Sequence, residues 1–384
     1  MSRWPEHIIA QINLSAIRYN CREIRKRIPS GCKICVAVKC NAYGHGMDVV
    51  MPAFKDFGID MVAVATISEA MHLKQIGWKK AILLLGSEFS MYHGKLKTEI
   101  AQWLIENDIR IMLMTANDMK SLVGVAKSLQ KQAKVHLKFD SGMSRMGLDK
   151  SKLLTIAIKA NKQPNICIEG LCTHLATADE SDNIYCKHQI KQFKNLYEEL
   201  NCHNIKISLI HIANSAAIMN GVNCHYNLVR PGLAIYGYNP NKEQTLSILK
   251  PCMRIISFLT VVKKIKKGDY IGYGCTRQAN KEMIIGIVPI GYGDGYDRRL
   301  SNQGIMTIDG INAPVLGLIS MDQTIIDLSN VENHKGAVCP GRKVVIIDND
   351  PSAPNSVESI ARQMNTIAYE VVTRLGNRII RTAV

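Results

Sequence analysis

A lysine at the end of an apolar run is the residue of this sequence that most directly suggests chemistry. Lys39 follows Val36, Ala37 and Val38, which together are typical of a buried β-strand. Partial loss of hydration disfavours a charged ammonium group and frees the amine as a nucleophile, or as the partner of an aldehyde in a Schiff base. A lysine that only forms an ion pair at the end of a strand is the alternative, and spacing alone leaves it open.

A second group of residues is typical of an anion site. Asn214 and Ser215 follow one β-branched run, and the sequence RPGL at 230–233 lies within the next. Gly232 lets the backbone approach a ligand closely, and Ser215 offers a hydroxyl group. Ordinary turns also contain Asn-Ser and Pro-Gly, so loop chemistry is the alternative here. A reactive lysine and a phosphate cradle together nevertheless point to pyridoxal 5'-phosphate (PLP).

The elements that position these residues follow one pattern over the first two-thirds of the chain. Short runs rich in β-branched residues alternate with amphipathic stretches such as 67–76 and 186–201. Both faces of the runs are apolar, as expected for parallel strands that are buried on each side. Eight β/α units predict a TIM (β/α)8 barrel. The eight runs are 34–39, 61–66, 81–86, 109–114, 134–140, 166–174, 207–214 and 228–236.

The pattern changes after Pro240, where short strands and glycine clusters take over. Strands are predicted at 257–265, 283–290, 305–308, 314–328 and 343–347, with one helix at 356–375 that Ser356 caps. The predicted fold class is therefore α/β. A PLP-binding TIM barrel is expected over residues 1–243 and a C-terminal, mostly β domain over residues 244–384.

Functional residues of a TIM barrel lie at the carboxyl ends of its strands. The predicted ends carry a consistent set of basic and polar side chains. They are Lys39, Lys138, Arg145, His174, His211, Asn214, Ser215 and Arg230.

The composition excludes several classes of protein. The 384 residues are 47% hydrophobic and 21% charged, which is typical of a globular chain with more than one domain. No apolar run approaches the length of a membrane helix, and the N-terminus has no secretory pattern, so a cytoplasmic protein is expected. The net charge of +16 is not gathered in long basic runs, which favours a solvated basic surface over a nucleic-acid partner.

The twelve cysteines do not indicate a disulfide framework, because the chain is long and no signal peptide precedes it. Cys32 and Cys35 form a single C-x-x-C, and no second pair completes a tetrahedral zinc site. Since the two flank an apolar run, buried free thiols are predicted there. No metal is assigned.

The motifs themselves resemble those of the bacterial alanine racemases. VAVKCNAYGHG at 36–46 is similar to the PLP-lysine motif of that family, with Cys40 where alanine is usual. Further similar motifs follow in the same order over nearly the whole chain. They are LKFDSGMSRMG at 137–147, GLCTHLATADE at 170–180, HIANSAA at 211–217, VRPGLAIYG at 229–237, IGYGCT at 271–276, GYGDGYDRR at 291–299, SMDQT at 320–324 and TIAYE at 366–370.

The resemblance implies two catalytic bases. Lys39 would hold PLP covalently and serve D-alanine, whereas Tyr273 would serve L-alanine from the other subunit of a homodimer. His174 matches a position that contacts this tyrosine. Arg145 and the backbone of Met321 match the positions that bind the substrate carboxylate. Lys138 falls where the family often carries a carbamylated lysine that orients the arginine.

The resemblance also implies how PLP is bound. Arg230 would face the pyridine nitrogen and leave it unprotonated, because a guanidinium does not readily give up a proton. Asn214 and His211 would support the site. The remaining cofactor positions are matched by Tyr43, Ser215, Gly232, Leu233 and Tyr369.

The function implied is the interconversion of L-alanine and D-alanine, which supplies D-alanine for peptidoglycan. A racemase of broader range, acting on serine or lysine, is the alternative, and Tyr369 favours the small alanine side chain over serine. Leu318 stands where the family commonly has arginine, which implies a less polar entrance. Ornithine or diaminopimelate decarboxylases share the barrel-plus-β plan, but their glycine-rich and cysteine motifs are missing from this sequence. A PLP-carrier protein of single-barrel type would end near residue 240.

Overall fold

The computed structural model describes residues 7–180, 182, 184–241 and 248–384. In chain order the strands are β1 (Ile8–Ile12), β2 (Lys33–Ala37), β3 (Met61–Val64), β4 (Ala81–Leu84), β5 (Ile109–Leu113), β6 (Ala133–Lys138), β7 (Ile166–Cys172), β8 (Leu209–His211), β9 (Leu228–Val229), β10 (Met253–Phe258), β11 (Val261–Ile265), β12 (Tyr270–Ile271), β13 (Arg277–Gln278), β14 (Met283–Val288), β15 (Ile305–Ile308), β16 (Ile311–Pro314), β17 (Thr324–Asp327), β18 (Lys343–Ile347) and β19 (Ile380–Ala383).

The helical elements are α1 (Leu14–Lys26), α2 (Lys39–Tyr43), α3 (Met47–Phe57), α4 (Ile67–Gln75), α5 (Gly94–Glu106), α6 (Ala116–Ser128), α7 (Lys150–Asn161), α8 (Ile184–Cys202), α9 (Ser215–Met219), α10 (Ser329–Lys335), α11 (Val357–Gln363) and α12 (Ala368–Thr373). Side chains that the sequence places before the apolar stretches start several of these helices. Thr66 forms a capping box with Glu69, while Thr115 and Asp149 accept hydrogen bonds from the first turns of α6 and α7.

Strands β2 to β9 form one parallel sheet that closes on itself. They pair in sequence order from β2 to β8, and β9 pairs with the free side of β2. A bridge between Asn214 and Arg230 joins β8 to β9, and the Arg230 amide donates to the carbonyl of Ala213 at 2.8 Å. The predicted α/β class and the N-terminal TIM-like barrel are confirmed, and each of the eight predicted runs overlaps one strand of the barrel.

The barrel is apolar on both sides of its strands. Outward residues such as Ile34, Val36 and Val62 pack into the large core that includes the helices. Apolar and sulfur-containing side chains fill part of the interior as a separate cluster, formed by Cys35, Met61, Ala63, Leu83, Met112, Cys172, Leu209 and Leu228. Cys32 and Cys35 are both buried free thiols, as predicted. Burial raises the pKa of Cys35 to about 12, which keeps the thiol unreactive.

The second part of the chain is mostly β, as predicted, but its central sheet includes the N-terminus. A six-stranded sheet has the order β16-β15-β18-β10-β1-β19, and a three-stranded sheet has the order β11-β14-β17. Strand β1 pairs antiparallel with β10 and parallel with β19. Through these pairings, residues 8–12 join the start of the chain to its end. The sequence pattern did not predict β1.

Several predicted elements of this part are divided in two. Residues 257–265 hold the end of β10 and all of β11, which belong to different sheets. Residues 314–328 hold the last residue of β16 and all of β17, which also belong to different sheets. The predicted helix 356–375 consists of α11 and α12, with Asn365 between them at a φ of 51°. Ser356 does cap α11, because its side chain accepts from the amide of Ser359 at 3.2 Å.

The boundary predicted between residues 243 and 244 lies outside the described residues. Within the described part of the chain, no helix has the length and apolar character needed to span a membrane.

Candidate active site

A cavity of about 750 Å³ opens at the carboxyl ends of the barrel strands. Ten of the residues singled out in the sequence line it: Lys39, Tyr43, Lys138, Arg145, His174, Asn214, Ser215, Arg230, Gly232 and Tyr369. Four of its lining side chains are basic and one, Asp179, is acidic, so the cavity favours an anionic ligand.

Lys39 begins an unusual turn. The four residues that follow it, 40–43, all have φ between 51° and 55°, so α2 is a left-handed turn without a glycine. Such backbone is unfavourable by about 1–2 kcal/mol per residue and persists only where the surroundings enforce it. Two contacts enforce it here: the amide of Cys40 donates to Glu69 Oε1 at 2.6 Å, and Arg381 Nε donates to the carbonyl of Gly44 at 3.0 Å.

The turn also depends on close approach at Gly44, whose φ is 79°. A Cβ at this position would lie 1.9 Å from the carbonyl oxygen of Val372, next to the end of α12. Val372 and Arg381, both in the C-terminal part of the chain, therefore hold in place the turn that begins at Lys39.

The residues predicted to bind phosphate converge at one end of the cavity. Ser215 Oγ accepts from the amide of Gly232 at 2.8 Å and from the amide of Ala234 at 3.3 Å, which joins the segment after β9 to the start of α9. A Cβ on Gly232 would come within 2.6 Å of the Tyr43 hydroxyl, so only glycine leaves this space open. Leu233 is buried and is not among the lining side chains, so its place is in the core.

The two phenols beside this space remain protonated at neutral pH. Burial raises the pKa of Tyr43 well above its ordinary value, and burial with Asp179 nearby raises the pKa of Tyr369 to about 12. The rings of the two residues lie 6.0 Å apart. Two protonated hydroxyl groups can donate to an anion, which suits a phosphate site.

Arg230 is buried and held by several acceptors. Its Nη1 donates to the carbonyl of His211 at 2.6 Å and contacts His211 Nδ1 at 2.7 Å, while Nη2 donates to the carbonyl of Thr173 at 2.6 Å. These contacts fix the plane of the guanidinium at the wall of the cavity. His211 thus supports Arg230 directly, and Asn214 caps α9 by accepting from the amide of Ala217 at 3.0 Å.

Lys138 and His174 are both driven toward their neutral forms. Burial, assisted by the nearby cations Arg230, Arg145 and Lys39, lowers the pKa of Lys138 to about 8. Burial and the same surroundings hold the pKa of His174 well below its ordinary value. A lysine with such a pKa is partly an amine at neutral pH, and it lies in the same cavity as Arg145.

Tyr273 and Met321 lie elsewhere on the chain. The Tyr273 side chain is 69% exposed and lines a second cavity of about 830 Å³, which shares no lining residue with the first. Met321 is also exposed, and its carbonyl accepts from the amide of Gly293, another lining residue of the second cavity, at 2.9 Å. Leu318 lies beside the Tyr273 turn, because its Cδ1 would be 3.6 Å from a Cβ on Gly274. A single chain therefore does not bring either residue to Lys39.

The groups around the first cavity fit PLP. An amine for the aldehyde, hydroxyl and amide groups for the phosphate, and a guanidinium for the ring nitrogen are all present in one enclosure. The glycine at 232 keeps open the space that a side chain would fill.

Three residues beneath the cavity were not singled out in the sequence. His136, Glu169 and Arg110 lie within barrel strands and join Arg230 through hydrogen bonds. Arg110 and Glu169 each stand among apolar neighbours in their strands, whereas His136 lies between Lys134 and Lys138 in β6. The partners that these residues bind across the barrel are distant in sequence.

The chain is similar to known proteins over almost its full length. The family descriptions "Alanine racemase, N-terminal domain" and "Alanine racemase, C-terminal domain" match residues 12–240 and 252–383. The alanine racemase of Methanococcus maripaludis is 36% identical over 378 residues, which cover 97% of this chain and 98% of that one.

Solved structures agree. The alanine racemase of Clostridium difficile 630 has a TM-score of 0.89 at 31% identity and covers 98% of this chain and 96% of its own. The alanine racemase of Bartonella henselae, solved with covalently bound pyridoxal phosphate, has a TM-score of 0.85 at 27% identity. The match covers 99% of this chain and 100% of that one. The resemblance drawn from the motifs is confirmed, and the chain belongs to the alanine racemase family, whose members are PLP-dependent racemases.

Proposed function

We propose that this protein interconverts L-alanine and D-alanine with PLP attached to Lys39, and so supplies D-alanine for peptidoglycan. The observation that carries the proposal is the convergence in one cavity of Lys39, the Ser215–Gly232 contact and the buried Arg230. These groups match the aldehyde, the phosphate and the ring nitrogen of PLP. When bound, PLP spreads the charge that develops as the α-proton leaves.

The protein's own part is to hold the reactants and move a proton. Tyr43, Ser215, Gly232 and Tyr369 hold the phosphate, with the backbone at Leu233 beside them. Arg230 is a permanent cation that cannot supply a proton to the ring nitrogen, since its guanidinium stays charged. The Lys39 amine removes or returns the α-proton on the face of the substrate that serves D-alanine.

Racemisation needs a second base on the opposite face. Tyr273 takes that role from the partner subunit, so the active unit is a homodimer. Its 69% exposure and its place on a different surface from Lys39 support this arrangement. His174, held neutral in the Lys39 cavity, donates its ring N–H to the phenolate oxygen of Tyr273 and so stabilises the deprotonated base.

The substrate is a small amino acid, held by its carboxylate. Arg145 of the barrel and the backbone of Met321 of the partner subunit bind that group. Lys138 orients Arg145 as a carbamate, which its lowered pKa favours because only the neutral amine reacts with carbon dioxide.

Chiral chromatography tests the proposal. The purified protein with added PLP is incubated with L-alanine, and L-serine and L-lysine are treated in parallel. D-alanine is expected to rise toward an equal mixture, faster than either other D-isomer forms. Faster conversion of serine or lysine would favour the broader racemase, and no D-isomer in any vial despite bound PLP would reject racemase activity.

A further inference from the structure

A chain of hydrogen bonds crosses the barrel interior from Arg230 to a carboxylate on the far side. Arg230 Nη1 lies 2.7 Å from His211 Nδ1, and His211 Nε2 lies 2.8 Å from His136 Nδ1. His136 Nε2 lies 3.2 Å from Glu169 Oε2, which also accepts from Arg110 Nε at 2.8 Å. Each residue comes from a different strand or strand end, from β5 to β9.

The chemistry of these atoms allows one arrangement of protons. The guanidinium of Arg230 only donates, so His211 Nδ1 must accept and the proton of that ring lies on Nε2. This proton is then donated to His136 Nδ1, so the proton of the second ring also lies on Nε2. It is donated in turn to Glu169, which only accepts. A second proton on either imidazole would lie on Nδ1. In His211 it would face the Arg230 guanidinium, and in His136 it would face the Nε2 proton of His211, so two donors would oppose each other.

The electrostatics agree with this arrangement. Burial lowers the pKa of His136 and holds the pKa of His211 well below its ordinary value, so both rings are neutral. Burial acts to raise the pKa of Glu169, but the hydrogen bonds from His136 and Arg110 outweigh it and lower the value to about 2. Glu169 is therefore a permanent acceptor at the end of the chain.

The sheet departs from regular pairing where the chain passes through it. Between β6 and β7, Val135 pairs with Ile168 and His136 pairs with Gly170, so Glu169 is an extra residue in β7. A bulge of this kind re-aims a side chain next to a functional site. Gly170 makes room for the imidazole, since a Cβ there would lie 2.2 Å from His136 Nδ1.

We propose that Glu169 is a positioning residue for the racemase reaction. Its carboxylate accepts the last proton of the chain and, together with the Arg230 guanidinium at the other end, keeps the protons of His136 and His211 on Nε2. The lone pair of His211 Nδ1 then holds Arg230 in its plane against the cofactor. The inference rests on the proposed function only in placing Arg230 beside the pyridine nitrogen. The proton arrangement itself follows from the contacts of the chain.

Nitrogen NMR of ¹⁵N-histidine-labelled protein tests the proton positions without activity. His136 and His211, assigned by loss of their signals in His136→Gln and His211→Gln, are expected to carry the proton on Nε2. His45 is an internal reference with the opposite tautomer, because its Nδ1 lies 2.8 Å from the carbonyl oxygen of Tyr43. A proton on Nδ1 of His136 or His211 in the unaltered protein would overturn the proposal, whatever the variants do.

Two substitutions of Glu169 then distinguish its role as a hydrogen-bond acceptor from the effect of its negative charge. Glu169→Leu removes the acceptor of the His136 Nε2 proton, so a shifted His136 Nε2 resonance, a shifted absorption band of bound PLP and a roughly tenfold to hundredfold lower kcat with little change in KM are expected. Glu169→Gln keeps an oxygen facing His136, so it should retain the tautomers and the band.

Asp108→Asn is the matched control. It removes a second carboxylate partner of Arg110, at 2.7 Å, without touching either histidine, and should leave the tautomers, the band and kcat unchanged. An active holoenzyme in which Glu169→Leu behaves like Asp108→Asn would reject the positioning role and leave the proposed function standing. Failure of the unaltered holoenzyme to racemise would reject the proposed function and leave the tautomer result intact.

Discussion

The regular strand ends just before Lys39, and the side chain of Lys39 lines the cavity. The residues before it are buried strand, and the residues after it form a left-handed turn that contacts elsewhere must hold in place. The cavity it enters is also lined by Lys138, Arg145 and Arg230. Burial and the charges of Arg230, Arg145 and Lys39 lower the pKa of Lys138, and the same charges suit an anionic cofactor and an anionic substrate.

Lys39→Ala is expected to abolish racemisation by a factor of about 10³ or more, because it removes both the attachment of PLP and one base. Borohydride reduction followed by peptide mass analysis should then find no cofactor bound to residues 36–46. Lys33→Ala is the matched control, since this exposed lysine begins the same strand. Full activity of Lys39→Ala, or cofactor attached to another lysine, would refute the assignment.

Lys138 is expected to take up carbon dioxide. In the presence of ¹³C-bicarbonate, a carbamate signal should be present in the unaltered protein and missing in Lys138→Met, while Lys134→Met on the same strand should keep it. Because the pKa of Lys138 is lowered to about 8, the amine is increasingly protonated below that pH, and the signal should weaken from pH 8 to pH 6. The same signal in Lys138→Met would show that the carbamate is elsewhere.

At the scale of elements, the pattern of apolar runs predicted the eight strands but not where each one ends. Run 228–236 forms a strand only over Leu228–Val229, and its apolar remainder includes the buried 3₁₀ turn Leu233–Tyr236. A short apolar run does not distinguish a strand from a buried turn. Pro231 lacks the amide that would extend the ladder, and this was the local signal for the break.

Other features depend on contacts that the local sequence does not reveal. The left-handed turn after Lys39 contains no glycine, and of its four residues only Asn41 is of a type that favours this conformation. Strand β1 pairs with residues about 240 and 370 positions away, and the chain from Arg230 to Glu169 joins strands that are far apart in sequence. Motif resemblance could assign residues to a cavity, but only the folded structure reveals which side chains support them.

Gly44→Ala tests how strongly the second part of the chain holds the turn. The new Cβ would meet the carbonyl of Val372, so the free energy of unfolding is expected to fall by several kcal/mol, on the order of 3 or more. Gly31→Ala has nearly the same φ, 77°, and no atom within 4 Å, so it should lose only about 1 kcal/mol. Urea unfolding followed by circular dichroism compares the two. Equal losses would mean that backbone conformation, not the contact with Val372, decides the cost.

At the scale of the molecule, the chain separates its two proposed bases. Lys39 lies in the barrel cavity, while Tyr273 lies exposed on a different surface together with Tyr292 and Arg298. Strand β1 and Arg381 fix the two parts of one chain to each other at residues 8–12 and at Gly44. The second base is therefore expected to come from the partner subunit rather than from movement within a chain.

Subunit mixing tests this central claim most directly. Lys39→Ala and Tyr273→Phe are co-expressed with different tags, and the heterodimer is isolated and its composition verified by native mass spectrometry. Each variant alone is expected to be nearly inactive, since each homodimer lacks one base in both sites.

The heterodimer has one site with both bases intact and one with neither, so it should recover about half the racemase activity of the unaltered dimer. Tyr270→Phe, which alters another exposed tyrosine close to Tyr273, should be fully active when tested alone. A heterodimer as inactive as its parents would contradict a site shared between subunits, as would a fully active monomer.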